Sequence, residues 1–543
     1  MPAKPKTPAK TPKLPTRREL KQLLMFPALL IIVLTTVTFA PAQRNEFLNW
    51  DDNGEITNNH QVRSLSLDNV REIFSAPKLE IYHPLTTLSW ALEYWVYQYD
   101  SEVVHTNNII LHVMNALLVL WLVFLITGKV PIALVSAALF AVHPLRVESV
   151  AWATERKDVL YGVFFFASLI SYVYYVRSAF AAKYYVLALI LMALSAFSKG
   201  MAVSLPLALI AFDFLFARKI DWWIFLEKIP FFVLALVFGM VAIEAQSSSG
   251  WVANLGGLPF VKRAAYASYA LYTYLGKLLV PINLSAIYPH PDQVSWLVQV
   301  LPFAIAAPVL YSLRFTRKIA FGFLFFIATV VMVLPWMGVG KFVAADRLTY
   351  VSLFGLFYLA GEGFYACFTA DRNGSLRYRR ISVIALIGLV ALYSTLSFER
   401  CKVWLNSYTL MSDIIEKFPN VPDAYINRAM VTPDGAKALE DYTIGLKLDP
   451  SRTVAYNNRG LLHYNRNEFD AAIQDYNEGI RRNPAYSNLY FNRMLYHLYH
   501  SRDYTKAWAD MKSAESLGFK VGENLRQEVE KAYQTLAPGA ASK

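Results

Sequence analysis

The sequence predicts an all-α chain, a polytopic bundle of membrane helices followed by a solenoid of helical repeats. Three observations predict it. Of 543 residues, 55% are hydrophobic and only 17% charged, against about 25% charged in an average soluble domain. That charge is nearly absent from long stretches before residue 400 and mixed in sign after it. Beyond residue 405 the sequence repeats itself at a spacing of 34 residues. The composition excludes a disordered chain, a disulfide-stapled secreted domain and a simple soluble enzyme.

The first 22 residues hold Lys4, Lys6, Lys10, Lys13, Arg17, Arg18 and Lys21 interleaved with Pro, a disordered basic arm. The apolar run Leu23–Ala40 follows. It is long for a signal-peptide core, and Pro41-Ala42-Gln43 is a poor cleavage site, so it reads as a retained first span. Further apolar runs cover 106–126, 130–142, 159–176, 184–197, 201–216, 230–245, 264–280, 296–313, 319–335, 348–368 and 381–397. Several fall short of the ~20 residues a bilayer asks for.

Charge placement gives the topology. Basic clusters stand at Arg177/Lys183, Arg218/Lys219/Lys228, Arg314/Arg317/Lys318 and Arg372/Arg377/Arg379/Arg380. The positive-inside rule puts them all in the cytoplasm with the N-terminal arm. Parity holds if 264–280 does not cross; with four tyrosines and Lys277 it reads as an interfacial or re-entrant helix. Eleven spans remain, N-terminus inside. The expected domains are a cytoplasmic arm (1–22), a transmembrane domain (23–398) with 41–105 as a catalytic first outer loop, and a repeat domain (399–543) outside the cytoplasm. The net charge of +12 belongs to cytoplasmic loops, and no nucleic-acid partner is expected. Cys367 and Cys401 are expected unpaired, on opposite sides of the membrane.

In the last domain Asp441-Tyr442 recurs as Asp475-Tyr476, Gly445 as Gly479, and Tyr456, Asn458 and Arg459 as Tyr490, Asn492 and Arg493, all at 34 residues. Ala472 and Asp475 recur at 35 as Ala507 and Asp510, and Tyr425, Asn427 and Arg428 precede their counterparts by 31. This is the tetratricopeptide (TPR) pattern. Three units fill about 405–520, with a capping helix at 521–536. Asn427/Arg428, Asn458/Arg459 and Asn492/Arg493 at one register either line the groove or bond between neighbouring units.

Chemistry-bearing residues gather in the outer segments. Asp51 and Asp52 stand about ten residues beyond the first span. A solvated loop, a divalent-ion site and a general base all remain open for them. His83 precedes Pro-Leu-Thr. The segment 143–158 holds His143, Arg146, Glu148, Glu155, Arg156, Lys157 and Asp158, a density that is costly at membrane depth unless the groups pair or line a wet cavity. Arg156 and Lys157 suit a phosphate, Arg as a bidentate fork and Lys as a point charge. Lys199 interrupts an apolar stretch, and Asp346-Arg347 precedes another; these two could simply pair with each other.

The ordered set of basic arm, first span, Trp50-Asp51-Asp52, Tyr82-His83-Pro84-Leu85-Thr86, the 143–158 loop, Ser198-Lys199-Gly200, Asp346-Arg347-Leu348-Thr349-Tyr350 and TPRs resembles the TMTC-type O-mannosyltransferases of the GT-C class. The resemblance implies inverting transfer of one sugar, mannose in the named enzymes, from a polyprenyl-phosphate donor to a protein or glycan acceptor outside the cytoplasm. It places a catalytic acid at Asp51 or Asp52, of which Asp52 is the preferred base. Arg156, Lys157, Lys199 and Arg347 are then expected on the donor phosphate, with His83, His143, Arg146, Glu148, Asp158 and Asp346 as further pocket candidates. No cofactor is implied, and a divalent cation is left open. The expected partners are the lipid-linked sugar, the bilayer and an acceptor held in the TPR groove. The setting is a bacterial inner membrane, or the endoplasmic reticulum with dolichol as carrier. The alternatives are a transporter, or a TPR-bearing membrane scaffold for envelope or glycan assembly with no chemistry of its own.

Overall fold

The computed structural model describes residues 17–75, 82–248, 258–336, 342–370 and 377–536. Most of the basic arm and Arg372 lie outside these. The chain divides into two compact units, residues 1–406 and 407–543. The boundary falls beyond residue 399 because the helix Arg377–Val403 continues past the apolar run.

The first unit is helical, and its one β-bridge among the described residues joins Tyr288 and Ala344. Five stretches, Gln22–Arg44, Ser101–Thr127, Arg156–Arg177, Trp222–Ala245 and Arg377–Val403, are long and apolar enough to cross a membrane. A sixth is broken: Val130–Val142 and Pro144–Ala151 meet at 59°. Pro144 has no N–H to continue the helix, and the His143 ring accepts the Leu145 N–H at the break. Shorter apolar helices include Ala182–Ser198, Gly200–Leu215 and Trp296–Ser312. Phe260–Leu279 carries Lys262, Arg263 and Lys277 and is not among the spans.

Local chemistry sets the ends. Asp100 caps Ser101–Thr127 by accepting from Glu102 N at 2.9 Å and Val103 N at 3.3 Å, and Gly128, at φ +68°, closes it. Gly in the left-handed region is the usual helix stop. Arg317–Val330 and Phe354–Thr369 approach until their backbones touch. A Cβ on Gly355 would collide with the Gly322 carbonyl oxygen.

The second unit is a run of antiparallel helix pairs: Pro422–Val431 with Gly435–Leu448, Thr453–Asn465 with Phe469–Arg482, and Ser487–Leu495 with Tyr504–Ser516. Ser407–Lys417 precedes them and Glu523–Leu536 follows. The first pair's opening helix has 10 residues where the next has 13, which accounts for the 31-residue offset. A π-turn at Tyr496–His500 takes up one extra residue in the third pair, hence the 35-residue offset of Ala507 and Asp510. There His500 stacks on Phe469 with ring centroids 3.6 Å apart.

The repeated arginines are bound within each pair. Arg428, Arg459 and Arg493 form two-pronged bridges to Asp441, Asp475 and Asp510 at 2.7–2.9 Å. Each also reaches back one helix, to Ser412, Thr443 and Asn477. These guanidiniums hold helix to helix, within the pair and back to the unit before, which is the second of the two expected alternatives. Asn492 donates to Asn457 at 2.8 Å, one unit back, as the inter-unit alternative expected of the asparagines.

Candidate functional site

The site forms where the segments 45–55, 143–158, 199 and 346–347 come together. The loop after the first span lies along 151–154. Asn45 Nδ2 donates to the Ala151 carbonyl at 3.1 Å, and Trp50 stacks on Trp152 with centroids 5.0 Å apart. Trp404 packs on Trp152 with centroids 5.4 Å apart, and Glu46 N–H donates to Leu405 O at 2.8 Å.

Asp52 is sealed in this contact. One carboxylate oxygen accepts the Leu48 N–H at 2.8 Å; the other accepts the Thr154 N–H at 3.0 Å and the Thr154 hydroxyl. Burial raises its pKa, these donors oppose the rise, and the balance stands at about 7. Every bond it makes is to the fold. Asp51 is partly exposed. Burial raises its pKa, and the nearby cations Lys157 and Arg347 pull it down. Of the pair, Asp51 is the more exposed, and the charges of Lys157, Glu55, Arg347 and Glu155 bear on it.

Glu55 stands one helical turn after Asp51. Its Oε1 lies 2.8 Å from Lys157 Nζ and its Oε2 2.7 Å from His83 Nε2. Burial pushes its pKa up, but Lys157 and His83 outweigh it and hold it below the ordinary value. The sequence reading missed Glu55 as a site residue. The signal was its spacing of four from Asp51, which puts both on one face of a helical turn.

Two further cations stand beside this group. Lys199 Nζ lies 2.6 Å from Asp158 and 3.0 Å from Glu155. Arg347 Nη1 bridges Glu148, its backbone N–H donates to Glu148 at 3.0 Å, and its Nε lies 3.3 Å from Glu155. Asp158 accepts the Ser149 hydroxyl at 3.0 Å. Glu155 is held well below the ordinary carboxylate range, because Lys199, Lys157 and Arg347 outweigh its burial. Lys199 and Arg347 keep some exposure, 14% and 19%, whereas Lys157 keeps 4%. Alternating charge is how such a density is tolerated: each buried ion needs a partner and hydrogen bonds.

Asp346 and Arg347 do not pair with each other. Asp346 accepts the Tyr288 hydroxyl at 2.9 Å; burial and the nearby Glu148 push its pKa up to about 7.

Three expected site residues are committed elsewhere. Arg156 donates to Asn108 and Glu93, each at 2.5 Å, and to the Val104 carbonyl at 2.7 Å. Its side chain is 1% exposed, so it ties three helices together. His143 donates from Nε2 to Leu278 O at 3.0 Å and accepts the Leu145 N–H on Nδ1. Arg146 donates to the carbonyls of Thr349 and Tyr350 and sits against the Phe140, Tyr350 and Phe357 rings at 5.2–5.5 Å. His143 and Arg146 brace the broken span and the turn after Asp346. Among the described residues, no group of three His, Cys, Asp or Glu side chains is placed to hold a metal ion.

A tetratricopeptide repeat family model matches residues 453–486, the second helix pair. A protein O-mannosyl-transferase of Caenorhabditis elegans is 26% identical over 463 residues, 78% of this chain and 63% of its own length. Two from Mus musculus, TMTC3 and TMTC1, are 33% identical over 91 residues and 36% over 95, each match covering 17% of this chain and 10% of the relative. This chain is similar to the TMTC-type protein O-mannosyl-transferases. The C. elegans match spans less than two thirds of that relative's length. Among solved structures, the apo oligosaccharyltransferase of Archaeoglobus fulgidus aligns with a TM-score of 0.39 at 14% identity, over 79% of this chain and 60% of that one. An oligosaccharyltransferase of the same archaeon in complex with an inhibitory peptide and a dolichol-phosphate gives 0.41 at 14% identity over 78% and 60%.

Proposed function

We propose that this chain is a GT-C-type membrane glycosyltransferase that transfers one sugar, mannose by the resemblance, from a polyprenyl-phosphate donor to a protein or glycan acceptor outside the cytoplasm. One observation carries the reading: two partly exposed cations, Lys199 and Arg347, are held on the buried acids Glu148, Glu155 and Asp158, and the partly exposed carboxylate Asp51 lies within the electrostatic reach of Arg347 and Lys157. Asp51 takes the proton of the acceptor hydroxyl. The freed oxygen attacks the anomeric carbon, the bond from that carbon to the phosphate oxygen breaks, and configuration inverts. Lys199 and Arg347 stabilise the charge developing on the leaving phosphate. Lys157, held on Glu55 at 2.8 Å, joins them on the donor phosphate, and Arg156 is left out of the donor contacts.

The polyprenyl chain stays in the bilayer. An apolar cavity of about 390 Å³ between the helices Phe260–Leu279, Trp296–Ser312 and Arg317–Val330 suits part of it. On the first of these helices Tyr274, next to the cavity residue Leu275, accepts the Ala345 N–H at 3.3 Å, beside Asp346 and Arg347. The reading keeps eleven crossings: the five long stretches, the broken span, the three shorter apolar helices, and the helices Arg317–Val330 and Phe354–Thr369. The setting is a bacterial inner membrane, and the TPR domain receives the acceptor on the far side from the cytoplasm. No metal is assigned a step.

The test is a transfer assay with the purified full chain and a panel of polyprenyl-phosphate sugars. Transfer from one of them, lost in Arg347→Gln, supports the reading. Transfer from none of them, with acceptor-bearing membranes present, contradicts it.

A further inference from the structure

Three cations, from three different segments, converge on a single carboxylate. Lys199 approaches one oxygen of Glu155 at 3.0 Å; Arg347 Nε and Lys157 approach the other at 3.3 and 3.9 Å. Each cation also has an acid of its own: Asp158 for Lys199, Glu148 for Arg347, Glu55 for Lys157. Glu155 alone is shared by all three. Removing it would leave three cation–acid pairs standing around an empty centre.

A carboxylate has two oxygens sharing one negative charge. So does the phosphodiester of a polyprenyl-phosphate sugar, through its two non-bridging oxygens. An anion that meets these three cations together must take the place Glu155 now holds. We propose that Glu155 occupies the phosphate seat when the site is empty, that the donor phosphate displaces it, and that its return helps expel the polyprenyl phosphate left after transfer. The inference rests on the donor reading above.

The chemistry favours such a device. Transfer turns a monoanionic diester into a monoester of charge about −1.5 to −2 near neutral pH. Three cations that bind the donor therefore bind the product more tightly still. A tethered competing anion at the same seat lowers the affinity for both and keeps turnover from stalling on product. The seat survives the exchange because the three outer acids hold the cations in place. Glu155 lies just before the helix Arg156–Arg177, so a change of its side-chain rotamer does not require the helix to move. Glu155 touches the cations and not the reacting atoms; it is a positioning residue.

The experiment uses the purified full chain in detergent and polyprenyl phosphate as the probe. Binding is measured for wild type, Glu155→Gln, Glu155→Asp and Arg347→Gln, with donor KM and kcat for each. Removing a like charge at contact distance predicts that Glu155→Gln binds the probe at least about fivefold tighter. Its donor KM falls, its kcat falls, and product inhibition deepens. Glu155→Asp keeps the charge but withdraws it by one methylene, and binds more tightly by a smaller factor. A merely structural Glu155 would give weaker binding and a raised KM in both variants. Equal or weaker probe binding in folded Glu155→Gln overturns the proposal. If that variant does not fold, equal or weaker binding in Glu155→Asp does so. If wild type does not bind the probe saturably, or Arg347→Gln binds it unchanged, the donor reading itself fails and takes this inference with it.

Discussion

Thr154 donates twice to one carboxylate oxygen of Asp52, through its backbone N–H at 3.0 Å and through its hydroxyl. With Leu48 N–H on the other oxygen, the first outer loop is fastened to the segment that carries Glu155, Arg156 and Lys157. Asp52 is therefore a fastener between the two segments, and the proposed mechanism gives the proton transfer to Asp51.

Asp52→Asn replaces an acceptor with a group that brings its own N–H donors to a place where only donors point. It should destabilise the first unit by about 1–3 kcal/mol, read as a lower midpoint in thermal unfolding in detergent. Thr154→Val should cost a similar amount, and the double variant less than the sum, because the two share one contact. Full additivity would mean that the two residues act separately.

The base reading fixes a sign for pH. Asp51 must be ionised to accept a proton, and burial raises its pKa above the ordinary aspartate value of 3.8. Transfer should therefore rise with pH along an acid limb lying above about pH 4. Lys157 lowers the Asp51 pKa, so Lys157→Met should move the limb to higher pH. A limb that stays put in that variant would assign it to another group.

Close helix contact at Gly355 gives a packing prediction. Ala there would drive its Cβ into the Gly322 carbonyl, and backbone cannot yield as a side-chain tip can. Gly355→Ala should cost about 1–3 kcal/mol, whereas Gly363→Ala, where nothing lies within 4 Å of the new Cβ, should be near neutral. Thermal midpoints of the two variants decide it.

In the repeats, Asp475 is 7% exposed at the side chain and held by both prongs of Arg459. Arg459→Met leaves it buried without its partner and should cost about 1–3 kcal/mol. The measurement is the urea concentration at which protease first cuts the repeats of the full chain. Adding Asp475→Leu should restore part of the loss, since apolar replacement of both partners is far cheaper than removing one.

Truncation separates presentation from chemistry. Stopping after Asn406 keeps Trp404 against Trp152 and the Leu405 carbonyl bonded to Glu46 N–H. That form should still transfer to a small soluble acceptor but lose the native one. Stopping after Phe398 removes those contacts and should lose both. Equal modification of the native acceptor by the form ending at Asn406 would give the repeats another task.

Much of this was legible in the sequence because it is local. The 34-residue period, the acids after the first span, the dense 143–158 loop, Lys199 and Asp346-Arg347 all announce themselves by type and spacing. What each charge does was not, because its partner comes from far along the chain. Asp52 meets Thr154 across 102 residues and Arg347 meets Glu148 across 199. Arg156 reads like Lys157 in sequence, yet one is spent on Asn108, Glu93 and Val104 and the other faces Glu55. A second buried network was also hidden. Tyr172 gathers Asp213, Arg218, Glu227 and Lys228 at 2.6–2.9 Å, at the other end of the helix that begins at Arg156. Tyr172 and Asp213 come from two apolar runs, and Arg218, Glu227 and Lys228 from the charged segment between residues 216 and 230, which reads as a cytoplasmic loop.

The central claim is that Asp51 accepts the acceptor's proton in front of the Lys199–Arg347 pair. The direct measurement is the rate of sugar transfer from a polyprenyl-phosphate donor by purified wild type and Asp51→Asn, at matched thermal stability and saturating donor. The account predicts a loss of at least about 10²-fold in kcat, the scale of a missing general base, with donor KM nearly unchanged. Wild-type kcat in a well-folded Asp51→Asn protein would contradict it.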